Sequence, residues 1–256
     1  MRSYVVALAA VGIAGTLLAE EQQGGSRTAT PPVPRRDLSG VWLGTTAVPP
    51  LEPTSPMTPK GQAMFSAAKP MYGPRSVPVV ESNDPTALCD PLGFPRMVLH
   101  QTRGIEFIQT PKKVVQLIEY QKVWREIWTD GRPLPSDVGG SGPTSPDPRL
   151  YGYSIGHWED DVTFIVQTTG AAETGWASEF GHPHGLHARV EERYRRTSPD
   201  TLEVVVTIDD PEMYQKPFVA IRQVFKRGTE LDEQFCVQSE VRRYMERLAR
   251  PAAQKK

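Results

Sequence analysis

From residue 104 onward, apolar and polar side chains alternate with a period of two. Ile105–Thr110, Val114–Tyr120 and Val123–Thr129 are rich in β-branched and aromatic residues. Pro111-Lys112-Lys113 and a short polar step divide them, and Asp130-Gly131 stops the last. Runs of this kind predict strands whose alternate side chains share a face. Residues 131–149 form a loop of Pro, Gly, Ser and Asp. Tyr151–Trp158 and Val162–Thr168 predict a hairpin around Glu159-Asp160-Asp161, and a second loop covers Gly170–Gly185. Leu186–Arg196, Leu202–Ile208 and Phe218–Lys226 follow, separated by turns at Ser198-Pro199-Asp200 and Asp209-Asp210-Pro211. About eight to ten short strands with tight turns predict a mainly β fold, an antiparallel barrel that is closed or nearly closed.

The two ends of the chain read differently. Fourteen of the 25 prolines lie between Pro31 and Pro95, which predicts an irregular N-terminal wrap laid over a scaffold made elsewhere. Within it, Leu38–Gly44 predicts a short strand, and Thr58-Pro59 predicts a capped helix start. Val241, Tyr244, Met245 and Leu248 recur at helical spacing, so a C-terminal helix is expected from about Gln238.

Arg2, the apolar run Tyr4–Ala19 and the stop at Glu20-Glu21 read as an export signal over residues 1–19. The run is short for a membrane span, and a retained anchor is the alternative. The expected organisation is then a signal peptide (1–19), a disordered linker (20–36), one domain (37–250) and a disordered tail (251–256). The mature chain is expected to be periplasmic or secreted, without a membrane span. Export also gives Cys89 and Cys236 a meaning: a disulfide joining the N-terminal wrap to the C-terminal segment, with two separate buried thiols as the alternative. The 29 Lys+Arg against 30 Asp+Glu leave a formal charge of −1, which provides no footprint for nucleic acid.

Four constellations carry candidate chemistry. In Trp124-Arg125-Glu126-Ile127-Trp128, strand alternation sets Trp124, Glu126 and Trp128 on one face and Arg125 on the other. If the indoles face inward, Glu126 is poorly solvated and suited to acid–base work; if outward, it is a solvated surface glutamate. Tyr153, Ile155, His157 and Glu159 share a face of the next strand, where His157 either shuttles protons or is satisfied by a backbone carbonyl. Phe180-Gly181-His182-Pro183-His184-Gly185-Leu186-His187 gathers three histidines in a loop that also carries Trp176. His182 and His184 are spaced to share a metal if His187, Glu191, Glu192 or a distant carboxylate completes the set. Without a third ligand at recognisable spacing, the expectation is a metal-free histidine lip and no cofactor. Arg189–Arg196 alternates charges that suit cross-strand pairing on a wet face. No GxSxG elbow, P-loop or GxGxxG is present, so serine-hydrolase, nucleotide-phosphate and dinucleotide chemistry have no support.

Asp37–Trp42, Cys89–Arg96, Trp124–Arg132, Gly152–Glu159, Gly181–His184 and Asp209–Pro211 together resemble a family of exported bacterial β-rich proteins that supplies no activity. Gly40-Val41-Trp42 also resembles the opening of lipocalin-like barrels, which implies a ligand-holding barrel. Two functions are expected to compete. One is an exported lyase, isomerase or hydrolase acting on a small hydrophobic or aromatic molecule, with Glu126, His157, His182 and His184 as acid–base residues and Trp124, Trp128, Tyr153, Trp176 and Arg125 as binding residues. The other is a non-catalytic binder or carrier of such a molecule; a His-ligated metal enzyme is a further alternative.

Overall fold

The structure, a computed structural model, describes residues 32–45, 55–99 and 104–254. The expected signal peptide, the linker up to residue 31 and the last two residues lie outside the described residues. Nine strands form one closed barrel in chain order: β1 (Gly40–Gly44), β2 (Ile105–Gln109), β3 (Lys113–Ile118), β4 (Val123–Trp128), β5 (Tyr153–Trp158), β6 (Thr163–Thr169), β7 (Arg189–Ser198), β8 (Thr201–Asp209) and β9 (Phe218–Arg227). Closure is made by β1, which pairs antiparallel with β2 through Trp42↔Ile105 and with β9 through Trp42↔Arg227. Every neighbouring pair is antiparallel except β4 and β5, which run parallel. The long return over residues 129–152 brings the chain back before β5 starts, as a parallel neighbour requires.

Register places the β1–β2, β3–β4, β6–β7 and β8–β9 connections at one end of the barrel. The long connections at that end carry the N-terminal wrap. Its helix α1 (Pro59–Ala67) begins as the sequence predicts, with the Thr58 side chain accepting from Gly61 N and Pro59 in the first turn. A short helix α2 (Arg96–Leu99) and the residues before it stopper the barrel mouth: Leu92, Phe94, Met97 and Leu99 are all buried in the main core. At the opposite end Trp42 is fully buried, donates from Nε1 to Leu38 O at 2.8 Å, and lies under the guanidinium groups of Arg196 and Arg227, 5.1 and 5.0 Å from its ring.

Between these stoppers the lumen is filled by side chains. Val190, Glu192, Tyr194 and Arg196 of β7 alternate inward, opposite Leu202, Val204, Val206 and Ile208 of β8, and all eight are buried. Gly156 of β5 faces the same space, and a Cβ there would sit 2.5 Å from the Phe164 ring. Its missing side chain lets that ring into the lumen. The expected closed, mainly antiparallel barrel is met in architecture, and Phe94, Phe107, Phe164 and Tyr194 are buried together in its core.

After β9 the chain crosses back to the wrapped end. Gln234 bridges to Tyr120, and Cys236 forms a disulfide with Cys89, 147 residues earlier. A helix follows as Gln238–Tyr244, a π-helical stretch Met245–Ala249 and a last turn Arg250–Ala253, so it runs past the expected boundary at Arg250. No helix among the described residues is long and apolar enough to cross a membrane. The disulfide suits an oxidising compartment.

A bridge that closes so long a loop removes conformational entropy from the unfolded chain, by about 5 kcal/mol in the simple chain-entropy treatment. Replacing both cysteines by serine is expected to lower the unfolding free energy by an amount of that order. A change of less than ~1 kcal/mol in guanidinium unfolding would show that the wrap and tail hold without the bridge.

Candidate functional site

The candidate site is a groove of about 360 Å³ on the outer wall, over the seam between β4 and β5. The seam exists because the two strands pair at only two positions, Ile127↔Ser154 and Trp128↔Ile155. Before them, β4 runs on from Val123 while the chain on the other side is still turning through Leu150, Tyr151 and Gly152. Gly152 has φ +66°, and a Cβ there would meet Thr169 O at 2.7 Å, so the turn into β5 is tight enough to demand glycine. The strands splay, and the space left between them is lined by Trp124, Trp128, Tyr151 and Tyr153, with Leu134 and Pro135 as a far lip.

Alternation holds through β4: Trp124, Glu126 and Trp128 face outward, and Arg125 and Ile127 inward. Of the two facings the sequence leaves open for Glu126, the structure adopts the outward one. Its carboxylate stands at the groove wall, ion-paired with Lys113, and each partner's side chain is about a third exposed. Lys113 also lies 5.1 Å from the Trp128 ring, and Arg132 covers Trp128 at 3.6 Å while paired with Asp130 at 2.7 Å. Trp124 is 57% exposed and offers an open ring. Tyr153 is held by its hydroxyl, which donates to Asp147 O at 2.8 Å, and it carries the Arg149 guanidinium at 4.2 Å.

Arg125 contributes to the groove floor, but its polar atoms are spent inside the barrel. Nε donates to Gln116 Oε1 at 2.7 Å, Nη1 to Ser154 Oγ and Thr168 Oγ1 at 3.3 Å, and Nη2 to Glu192 Oε2 at 2.5 Å. Tyr194 donates to the same Glu192 oxygen at 2.5 Å and accepts from Gln116 Nε2 at 3.0 Å. Burial works against the charge on Arg125, and the Glu192 carboxylate outweighs it, holding the guanidinium protonated. Burial, followed by the same carboxylate, pushes the Tyr194 phenol far above its usual range. Glu192, a candidate metal ligand or base by sequence, is thus a structural ion-pair partner. The alternation Val190-Glu192-Tyr194 carried the signal, since it sets Glu192 on an apolar face.

The remaining candidates do not join the groove. His157 is exposed on the outer face of β5 and is not among the groove's lining residues. His182 and His184 are buried, 4% and 2% exposed, where the β6–β7 loop meets the wrap. His182 stacks on Phe65 at 4.9 Å, and its Nδ1 lies 2.7 Å from Ser178 Oγ. Burial, then the nearby Arg75, lowers its pKa to about 4. Burial also lowers His184, against the pull of Asp210, so both rings are neutral at pH 7. Among the described residues no three His, Cys, Asp or Glu side chains converge on a metal position, and the shared-metal arrangement is not formed. Trp176 sits apart from the groove, 5.9 Å from Arg96, whose buried guanidinium pairs with Asp84 through two 2.8 Å bonds. Arg132, Arg149 and Tyr151 were not among the sequence candidates: Arg132 and Arg149 lie on a loop with no period, Tyr151 lies just before β5 rather than within it, and only the return of the chain brings them to Trp124.

No protein-family profile matches the chain, and no curated protein matches it. The groove therefore has to be read from its own chemistry.

Two predictions follow from the buried groups. Arg125→Met strands Glu192 in the lumen and is expected to cost about 3–5 kcal/mol, whereas Arg125→Met with Glu192→Met recovers part of that loss. Urea unfolding of the three chains checks this, and a double variant less stable than Arg125→Met alone would contradict it. His182 binds its proton far more weakly folded than unfolded, so its contribution to stability is lost as pH falls from about 6.5 toward 4. Between pH 7 and pH 5 that loss is about 2 kcal/mol for wild type. A His182→Gln variant should lack it, as the difference between the two unfolding profiles will show.

Proposed function

We propose that the protein is an exported small-molecule binding protein, which takes a flat aromatic or hydrophobic molecule in the groove over the β4–β5 seam. The observation that carries this reading is the convergence of Trp124, Trp128, Tyr151 and Tyr153 on one concave space of ligand size. Aromatic rings present large apolar area at little entropic cost, and Trp128 and Tyr153 each carry a cationic neighbour to orient a bound molecule. The filled lumen favours this outer site over one on the barrel axis. The disulfide, and the absence of a spanning helix among the described residues, fit a chain that works outside the cytoplasm.

Binding is favoured over catalysis because the four acid–base candidates are dispersed. His182 and His184 are enclosed beneath the wrap, His157 stands on open wall, and Glu126 alone of the four lines the groove. The catalytic alternative rests on that Glu126, between two indoles. Turnover lost in Glu126→Gln with affinity kept would establish it.

The binding reading is tested with intrinsic tryptophan fluorescence and thermal shift against a panel of flat aromatic compounds. A compound present at about 100 times its Kd should stabilise the fold by about 2.7 kcal/mol. Trp124→Ala is expected to weaken its binding by roughly fivefold or more, the scale of a contact worth ~1 kcal/mol. Trp176→Ala, outside the groove lining, should leave affinity unchanged. If the two variants behave alike, the ligand does not sit on the seam.

A further inference from the structure

We infer that the groove selects an anionic ligand, a flat aromatic carboxylate whose acid group is received by Arg149; this rests on the groove being the binding site. Three of the four cationic side chains that line or border the groove are already paired. Lys113 is neutralised by Glu126, Arg132 by Asp130, and Arg125 by Glu192 within the lumen. Arg149 forms no ion pair with any carboxylate among the described residues, so the groove retains one uncompensated positive charge.

That charge is also fixed in place. The Arg149 backbone donates to Gly170 O at 3.1 Å, and its carbonyl accepts from Gly152 at 3.0 Å and Ala172 at 2.9 Å. The guanidinium carbon lies 4.2 Å from the Tyr153 ring centroid, and that ring is itself held by Asp147 O. The Arg149 guanidinium makes no hydrogen bond among the described residues, so its N–H donors are open to a carboxylate, which two parallel hydrogen bonds match. Trp128 has cations on it already, whereas Trp124 is open. The ligand's ring therefore rests toward Trp124 while its acid group points to Arg149. A neutral ring would gain the stacking and forgo the charge.

Calorimetric titration of the full chain with cinnamate and with its neutral isostere cinnamamide tests this. Cinnamate should bind wild type about tenfold more tightly than cinnamamide, the scale of one charge-assisted contact. Arg149→Gln, at an exposed position, should erase that difference by weakening cinnamate alone, and Trp124→Ala should weaken both probes. Equal affinity for the two probes, with both weakened by Trp124→Ala, would overturn the anion selectivity and leave the groove as the site. Binding that ignores Trp124→Ala, or no heat from either probe at millimolar concentration, would overturn the groove reading and the selectivity with it.

Discussion

The ion pair between Arg125 and Glu192, with side chains 3% and 0% exposed, is the constraint on which the barrel depends. It joins β4 to β7, strands that are not neighbours, and its hydrogen bonds extend to Gln116 on β3, Ser154 on β5 and Thr168 on β6. Strand side chains alternate, so a slip of one residue in β4 would turn Arg125 outward and bring Trp124 and Glu126 into the lumen. Glu192 would then be buried without a cation. The pair adds little net stability over an apolar lumen, and its larger effect is to penalise every register but one.

The same arrangement explains why the candidate site lies on the outside. With Arg125 committed to the lumen, its two tryptophan neighbours must face the solvent side of the wall, and the parallel pairing of β4 with β5 leaves the wall open beside them. Phe94 presses on Arg125 from the mouth, its ring 5.0 Å from the guanidinium, and its backbone N–H donates to Leu150 O at 3.0 Å. Leu150 lines the groove. The stopper, the lumen network and the groove are thus mechanically continuous through Phe94 and Leu150, although only the groove offers space.

The histidine loop has a different role from the one its composition suggests. His182 and His184 are packed as neutral rings between the β6–β7 loop and the wrap, with Tyr214 donating to Pro183 O at 2.9 Å and Asp210 accepting from Gly185 N at 2.8 Å. His182 serves here as a compact, weakly polar side chain that stacks on Phe65 and hydrogen-bonds Ser178, whereas His184 is buried with its Nδ1 unpartnered. Their neutrality follows from burial, so the wrap is best seated near and above neutral pH.

Local pattern determined the strands: period-two alternation located β2 to β9 within a few residues, because each strand buries one face and the side-chain period is fixed by backbone geometry. It also determined the cap of α1 at Thr58, whose hydroxyl accepts from the free N–H of Gly61. The facing of Trp124, Glu126 and Trp128 relative to Arg125 was legible as well, but which set turned inward was not. That choice depended on Glu192 and Tyr194 waiting in the lumen, nearly seventy residues away by chain. The pairing of Cys89 with Cys236 was already expected from the sequence, whereas the parallel seam and the arrival of Arg149 beside Tyr153 were decided by closure. Closure sums contacts between segments that local periodicity cannot relate, and so only the tertiary structure fixes which polar groups meet.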